Sequence, residues 1–268
     1  MRVQVLVAAM HVPRGGLPAL AKQMNLQTDA IVINQCDRLD YEEYECHGAK
    51  IEMFSFTHRG VGRNRNEAIL RASAEICLFA DQDIVYEEGY SDKIIKEFER
   101  FPKSDLFLFQ LTVCEERKTY QNDGYKRVYW FNCGRYPTYS FAVRINQVFN
   151  TGVFFSLLFG GGALFSNGED SLFLRELLKK RCIVRTSPIL IGREEAFGES
   201  SWFTGYHRRF FYDRGVLYHF LYGLLADLFA LRFIIAHGKK MCTQVTRRQA
   251  FRWMREGIRA KGAGGEHR

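Results

Sequence analysis

Short apolar runs alternate with amphipathic runs through the first 110 residues, and this alternation limits the possible folds more than any other feature of the sequence. The apolar runs predict strands at 3–9, 30–34, 50–56, 75–81 and 105–113. The amphipathic runs predict helices at 17–25, 62–74 and 91–101. This order predicts an α/β fold with a mixed, mostly parallel central sheet flanked by helices. In such sheets, binding sites lie beyond the carboxyl ends of the strands.

The rest of the chain is predicted to be less regular and to end in a helical appendage. Residues 125–131 and 140–145 are typical of strands, and residues 171–180 are typical of a helix. Ser91 is the expected N-cap of the helix at 91–101. From residue 207 the sequence becomes aromatic and basic, so we separate a body, 1–206, from a basic amphipathic tail, 207–268.

The positive charge of the chain is concentrated in this tail. Residues 207–268 hold thirteen Lys or Arg against four Asp or Glu, a net of +9, whereas residues 1–206 hold 25 against 26. A basic tail favours an anionic partner, either nucleic acid or an acidic membrane surface, although a solvated helix face has the same pattern. The tail has no recognised nucleic-acid motif, so we predict no nucleic-acid partner.

The seven cysteines bear on the compartment. They form no CxxC pair, their number is odd, and the first residues hold no apolar signal stretch. Free thiols without a secretory signal predict a reducing cytosol.

A DxD sequence, Asp81-Gln82-Asp83, follows the apolar run that ends at residue 80. Two carboxylates separated by one residue at a strand end can point into one cleft. Their oxygens are the hard ligands that Mg²⁺ and Mn²⁺ prefer, and these cations bind diphosphate oxygens. Isolated DxD sequences also occur in solvated turns, but the position after a buried strand favours a metal site.

A second acidic pair, Glu169-Asp170, follows three glycines at 160–162 and precedes a predicted helix. Acids favour the first turn of a helix because of its dipole, so one interpretation is a plain helix start. The other is a general base, because a carboxylate within hydrogen-bond reach can take the proton of a hydroxyl nucleophile. The glycines would let the backbone approach a bound substrate closely.

Taken in order, these motifs resemble the bacterial family 2 glycosyltransferases of the capsule or exopolysaccharide type. The residues that match the family's glycine, ARN and DxD positions are Gly60, Arg65, Asn66, Asp81 and Asp83. IVINQCD at 31–37 resembles one of the family's nucleotide-binding strand ends, and FGGGALFSNGEDSLFL at 159–174 resembles its acceptor loop and ED motif. ESSWFTGYHRRFFYDRG at 199–215 and the tail resemble the capsule or exopolysaccharide branch of the family. The resemblance implies a GT-A fold over 1–206, with a nucleotide-binding half at about 1–110 and an acceptor half at about 111–206.

The resemblance also implies roles for individual residues. Asp170 would be the general base and Glu169 would orient the acceptor. Asp83 would hold Mn²⁺ or Mg²⁺, with Asp81 a second metal ligand that also touches the ribose. The remaining candidates for donor binding are Ala8, Asn34, Gln35, Gly60, Arg65, Asn66, Gln82, Gly161, Ser201 and Trp202.

Some of these positions depart from the family pattern or allow two interpretations. Asn34 and Gln35 stand where the family usually has acids. Arg63 and Arg65 would either neutralise the diphosphate or form surface salt bridges. His207 would join the metal or the diphosphate, or else be structural. Ser201 would either bind diphosphate oxygens or cap a helix, and Trp202 would either stack on a sugar or belong to the core.

The tail predicts attachment to a membrane. Residues 215–240 are strongly apolar but interrupted by charges, which favours an interfacial helix over a spanning one. Residues 245–260 form a basic amphipathic pattern with Phe251, Met254 and Ile258 on one stripe, typical of helices on anionic membranes. Packing onto the body and a subunit contact are the alternatives. We therefore expect a cytoplasmic protein, peripheral on the inner face of the cell membrane, and possibly a homo-oligomer.

The expected function is inverting transfer of a sugar from a nucleotide-sugar, a UDP-sugar by resemblance, to a glycan or lipid-linked acceptor in surface polysaccharide synthesis. One alternative is a sugar nucleotidyltransferase, but the loop after the first strand, MHVPRGG, matches that class only loosely. Another is a non-catalytic scaffold of the same fold that binds membrane or glycan. The presence of all four acids argues against it.

Overall fold

The computed structural model describes residues 1–46, 48–114, 118–195 and 205–260. The strands in these ranges are β1 (Val3–Met10), β2 (Ala30–Gln35), β3 (Asp40–Cys46), β4 (Ala49–Phe56), β5 (Ile76–Asp81), β6 (Ile84–Tyr86), β7 (Leu106–Thr112), β8 (Phe141–Arg144) and β9 (Val184–Glu194). The helices are α1 (Leu17–Gln23), α2 (Val61–Arg71), α3 (Tyr90–Arg100), α4 (Ile145–Thr151), α5 (Glu169–Lys179), α6 (Arg208–Tyr222), α7 (Ala226–Met241) and α8 (Arg247–Ala260).

The described strands form one sheet in the order β3-β4-β2-β1-β5-β8-β7-β9-β6. Strands β1, β2, β4, β5, β7 and β9 run in one direction, and β3, β6 and β8 run against them. Alternate residues of β1 pack into apolar clusters on opposite faces, Val5 and Val7 on one and Leu6 on the other. Burial on both faces explains the continuous apolar runs. The predicted α/β class with a mostly parallel sheet is confirmed.

Two parts of the sheet differ from the sequence prediction. Residues 125–131 form no strand and meet the sheet at an isolated bridge between Arg127 and Arg185, because β9 takes β7 and β6 as its strand partners. Strand β3, which the apolar runs do not mark, lies at the edge of the sheet. Its side chains alternate between half-buried and exposed, so it needs little apolar character.

Two helix ends also differ. Helix α3 begins at Tyr90, and its N-cap is Gly89 rather than Ser91. Gly89 has φ of 68°, a left-handed conformation that favours glycine. Helix α2 ends at Arg71 instead of 74, because Ala72 takes an extended conformation with ψ of 135°.

The three C-terminal helices pack on the body and on one another. Their apolar cluster includes Phe159, Phe165 and Leu172 of the body. Helices α6 and α8 cross closely, since a Cβ on Gly215 would lie 2.0 Å from the carbonyl oxygen of Met254. Met254 and Ile258, two members of the apolar stripe of α8, are therefore buried within the protein. The sequence left three interpretations open for α8, and packing of its apolar stripe onto the rest of the protein is the one that the structure contains.

A 34-residue stretch, Arg208–Met241, is long and apolar enough to cross a membrane by length and composition. It comprises α6, α7 and the turn Gly223–Leu225 between them. Gly223 has φ of 55° and ψ of −122°, which breaks the helix at this point.

Candidate active site

Parallel strands β1, β2 and β5 end together at one edge of the sheet. Asp81, the last residue of β5, lies in register with Ala8 of β1. The next residue, Gln82, donates its backbone N–H to the Ala8 carbonyl oxygen over 3.2 Å. Its side-chain Oε1 accepts the Met10 N–H over 2.8 Å. Main-chain pairing therefore fixes the first half of the DxD sequence against β1.

Arg65 of α2 joins this strand end to α5. Its Nη2 donates to Asp81 Oδ1 over 2.9 Å, and its Nη1 donates to Glu169 Oε1 over 2.7 Å. The guanidinium also lies over the Phe155 ring, 5.5 Å from the centroid. Burial opposes the charge of Arg65, but the two carboxylates outweigh it and raise its pKa. Arg65 is thus a buried link between the two acidic motifs, and the surface salt-bridge interpretation is wrong.

The glycine-rich loop packs against the start of α2. Asn66 clamps the loop main chain at Phe155, donating to its oxygen over 2.9 Å and accepting its N–H over 2.8 Å. The Gly161 carbonyl accepts the first N–H of α2, from Val61, over 2.9 Å. A Cβ on Gly160 would lie 2.7 Å from Glu169 Oε2. Gly160 also has φ of 105°, a conformation that favours glycine, so both its backbone and this contact suit a residue without a side chain.

Asp170 follows Glu169 in the first turn of α5. Its Oδ1 accepts the Ser171 N–H over 2.6 Å and faces the Ser171 hydroxyl at 3.2 Å. Burial, with the Glu169 charge adding to it, raises the pKa of Asp170 to about 7. A carboxylate with this pKa suits proton transfer near neutral pH.

Helix α6 supports the back of this motif. A Cβ on Gly168 would lie 2.5 Å from Leu217 of α6. Asp213, also on α6 and buried, accepts the backbone N–H of Ser166 over 3.1 Å and its hydroxyl over 2.9 Å. The segment that leads into α5 is therefore held by the tail.

Asn34 and Gln35 at the end of β2 are buried and serve neighbouring loops. Asn34 accepts the Val12 N–H and donates to the Val12 oxygen, both over 3.0 Å. Gln35 donates to the Gly60 oxygen over 2.9 Å. They brace the loops after β1 and before α2, and their direct contact with a nucleotide stays a prediction.

A comparison with family models matches residues 17–160, more than half of the chain, to glycosyl transferase family 2. The chain belongs to glycosyl transferase family 2. No curated protein matches it.

Solved structures resemble this family 2 glycosyltransferase over most of its length. S. aureus TarS 1-349 in complex with UDP-GlcNAc has a TM-score of 0.61 and 16% identity, and the match covers 91% of this chain and 74% of the TarS 1-349 chain. TarS 1-349 in complex with UDP has a TM-score of 0.57 and 14% identity, and the match covers 100% of this chain and 93% of that one. Mannosyltransferase PcManGT from Pyrobaculum calidifontis, in complex with GDP-Man and Mn²⁺, has a TM-score of 0.51 and 14% identity, covering 99% and 76%. The expected GT-A fold is confirmed.

The candidate metal ligands of this glycosyltransferase are the carboxylates of Asp81 and Asp83 at the end of β5. Asp83 lies between β5 and β6, and its backbone oxygen accepts the Glu195 N–H over 2.8 Å. Within the described ranges, no three His, Cys, Asp or Glu side chains group as metal ligands. Carboxylate oxygens that leave most of the coordination shell open fit a Mg²⁺ or Mn²⁺ ion that completes it with phosphate oxygens and water.

The remaining predicted residues fall in different places. Ser201 and Trp202 lie outside the described residues. His207 Nδ1 lies 2.8 Å from the Gly205 oxygen. Arg63 is exposed on α2, two residues before Arg65 and therefore on nearly the opposite side of the helix from the buried face that carries Arg65.

Sequence analysis missed the supporting residues. Nothing in the pattern identified Asp213 or Leu217 as neighbours of the ED motif, because both lie more than 40 residues away in a tail interpreted as an appendage. Arg65 was among the predicted donor-binding residues, but its simultaneous contact with Asp81 and Glu169 could be seen only in the folded structure. The signal that pointed to it was its place in the ARN-like motif.

Proposed function

We propose that the chain is an inverting glycosyltransferase of surface polysaccharide synthesis. It takes a sugar from a nucleotide-sugar donor, a UDP-sugar first of all, and passes it to a glycan or lipid-linked acceptor at the inner face of the cell membrane. The observation that carries the proposal is the cluster in which buried Arg65 joins Asp81 at a strand end to Glu169 beside Asp170. The TarS complexes with UDP-GlcNAc and UDP support uridine as the first base to test.

The donor half of the proposal uses the end of β5. Asp81 contacts the ribose, and Asp83 holds the divalent cation. Arg65, already paired with two carboxylates, keeps the Asp81 carboxylate in place instead of neutralising the diphosphate itself. A bound Mn²⁺ or Mg²⁺ ion would supply Lewis-acid stabilisation of the departing diphosphate.

The acceptor half uses the first turn of α5. Asp170 Oδ1 is engaged by Ser171, so we assign Oδ2 as the atom that takes the acceptor proton. Glu169 lies against Gly160 and orients the acceptor. The acceptor oxygen attacks the anomeric carbon as its proton passes to Asp170 and the bond to the diphosphate breaks, which inverts the anomeric configuration.

The test is a donor-hydrolysis and transfer screen over UDP-, GDP- and other nucleotide sugars, with Mn²⁺, with Mg²⁺ and with chelator. We expect nucleotide release from one donor class, dependent on metal. Asp83→Ala should abolish this release and metal-dependent nucleotide binding, and the protein should stay folded. Asp123→Ala, which removes an exposed loop carboxylate, is the matched control and should behave as the parent.

Two outcomes would overturn the proposal. One is full turnover by a folded Asp83→Ala variant. The other is the release of pyrophosphate from a nucleoside triphosphate and a sugar phosphate, which would identify a nucleotidyltransferase.

A further inference from the structure

Helices α6 and α7 carry a set of large apolar side chains that face outward. The set, which we name the apolar face, consists of Phe220, Leu224, Leu225, Leu228, Leu231 and Ile235. Leu224, at the tip of the turn between the helices, is fully exposed. Leu228 is 60% exposed and Ile235 is 66% exposed. This face contrasts with the stripe of α8, where Met254 and Ile258 are buried.

The arrangement of the apolar face is regular. Leu228, Leu231 and Ile235 have the i, i+3, i+7 spacing of one helical stripe. The turn Gly223–Leu225 places two adjacent leucines at the end of that stripe. Within Arg208–Met241, 28% of an apolar 18-residue stretch is buried in the protein. Packing within the protein therefore buries only a minor part of this apolar segment and leaves the rest exposed.

The apolar face continues toward the ED motif. The Phe220 ring lies 5.8 Å from the Phe159 ring. Phe159 precedes Gly160, which packs against Glu169. The same loop exposes Leu157, Leu158 and Leu164. An occupant of the apolar face would thus lie next to the acceptor half of the site.

Charge determines which occupant fits. Residues 205–260 hold eleven Lys or Arg and three Asp or Glu, a net of +8. All three acids are in ion pairs: Asp213 with Arg209, Asp227 with Arg255, and Glu256 with Arg208 and Arg252. Arg232 and Lys239 lie four residues beyond Leu228 and Ile235, so cations border the stripe. A second copy of the chain would bring an equal positive charge to this surface, which disfavours self-association.

We propose that the apolar face docks on an anionic phospholipid bilayer. The leucines of the turn enter the interfacial region, and Arg232 and Lys239 contact lipid phosphates. Apolar burial and attraction to anionic lipid act together in this kind of binding. Docking itself does not depend on the proposed function. Its consequence, delivery of a lipid-linked acceptor to Asp170, rests on that function.

The test is flotation of the full chain with vesicles of phosphatidylcholine alone or mixed with phosphatidylglycerol. We expect strong binding to the mixed vesicles, weakened by salt. The double variant Leu224→Glu/Leu228→Glu should bind at least about tenfold more weakly, because charged side chains replace two leucines whose burial in the bilayer drives docking. Leu70→Glu, which changes a leucine of α2 that is 61% exposed, is the matched control and should bind as the parent.

A second pair of variants tests the charge. Arg232→Gln/Lys239→Gln should lose most of the preference for phosphatidylglycerol, whereas Lys103→Gln, an exposed lysine of the body, should keep it. Donor hydrolysis without vesicles should be unchanged in all of these variants, so a failure to bind is distinct from a failure of the proposed function. Equal flotation of parent and double variant, or no flotation of the parent, would overturn the proposal. The proposal would also be overturned if the parent were a dimer and the Leu224→Glu/Leu228→Glu variant a monomer, since a second copy of the chain would then occupy the apolar face.

Discussion

The two sides of the proposed site are held by different means. On the donor side, Ala8, Asp81 and Gln82 are fixed by main-chain pairing between β1 and β5. On the acceptor side, Glu169 and Asp170 begin a helix whose approach is held by glycine contacts and by side chains of α6. The β1–β5 pairing that holds the donor side therefore lies within the first 82 residues, whereas the acceptor side depends on residues beyond 206.

The tail is therefore part of the structure that holds the site. Asp213 and Leu217 both touch the segment just before the ED motif. Arg65 is the residue that ties the two sides by direct ion pairs. Changes in the tail should thus reach the acceptor side before the donor side, and changes at Arg65 should reach both.

The largest expected effect is confined to the acceptor side. Asp170→Asn keeps the side-chain shape but removes its basicity, so transfer should fall by about 10²–10⁴-fold. Donor affinity, measured by calorimetry with metal present, should stay near normal. This combination would sharpen the separation of the two sides.

Glu169→Gln is the companion variant for this prediction. It retains a group that accepts from Arg65, so its loss of transfer should be smaller than that of Asp170→Asn. If Glu169→Gln loses transfer and Asp170→Asn keeps it, Glu169 is the base. If neither variant matters, the ED pair is only a helix start.

Removing the link should destabilise the whole fold. Arg65→Met leaves Asp81 and Glu169 without their shared buried cation, and we expect a loss of about 2–4 kcal/mol in the free energy of unfolding. Urea denaturation measures it. The matched control is Arg71→Met on the same helix, where a partly exposed pair with Glu67 contributes about 1 kcal/mol or less. Equal losses in the two variants would contradict the central place of Arg65.

A smaller effect should separate the tail from the donor side. Asp213→Ala removes the acceptor of two hydrogen bonds from Ser166, at a cost of about 1–3 kcal/mol. The KM for the acceptor should rise, and donor affinity should not change. Asp227→Ala, which breaks a surface pair with Arg255, is the control and should leave both unchanged. A change in donor affinity in Asp213→Ala would show that the tail also supports the donor side.

The donor side was largely predictable from sequence. Apolar runs marked β1 and β5, and the parallel arrangement that they imply brings Ala8 and Asp81 to the same sheet edge. Local patterns succeed here because strand position follows from neighbouring residues and from the burial of both sheet faces. The DxD sequence was recognised as a candidate site because it directly follows the apolar run that predicts β5.

The acceptor side was less predictable, because its contacts join distant parts of the chain. The stripe of α8 was expected on a membrane, since periodicity reveals that a helix is amphipathic but not what covers its apolar face. Gly215 lets α6 cover that stripe, and its effect depends on three-dimensional approach. Residues 125–131 have the composition of a strand, but the sheet has no place for them beyond one bridge.

The smallest expected effect is the pH dependence of kcat/KM for transfer, which reports on the proposed base of the acceptor side, Asp170. Burial raises the pKa of Asp170 to about 7, so the free enzyme holds this carboxylate largely protonated below that pH and ionised above it. Only the ionised carboxylate can take the proton from the hydroxyl of the acceptor. The kcat/KM for transfer should therefore rise through pH 7 and level off above it. Between pH 7 and pH 6 the fall should be about fivefold, the ratio of the ionised fractions for one group with this pKa. Both phosphates of a nucleotide-sugar are diesters that do not titrate in this range, so the substrate cannot produce the limb. Asp170→Asn should show a low, flat profile, and a sloping profile in that variant would assign the titration to another group.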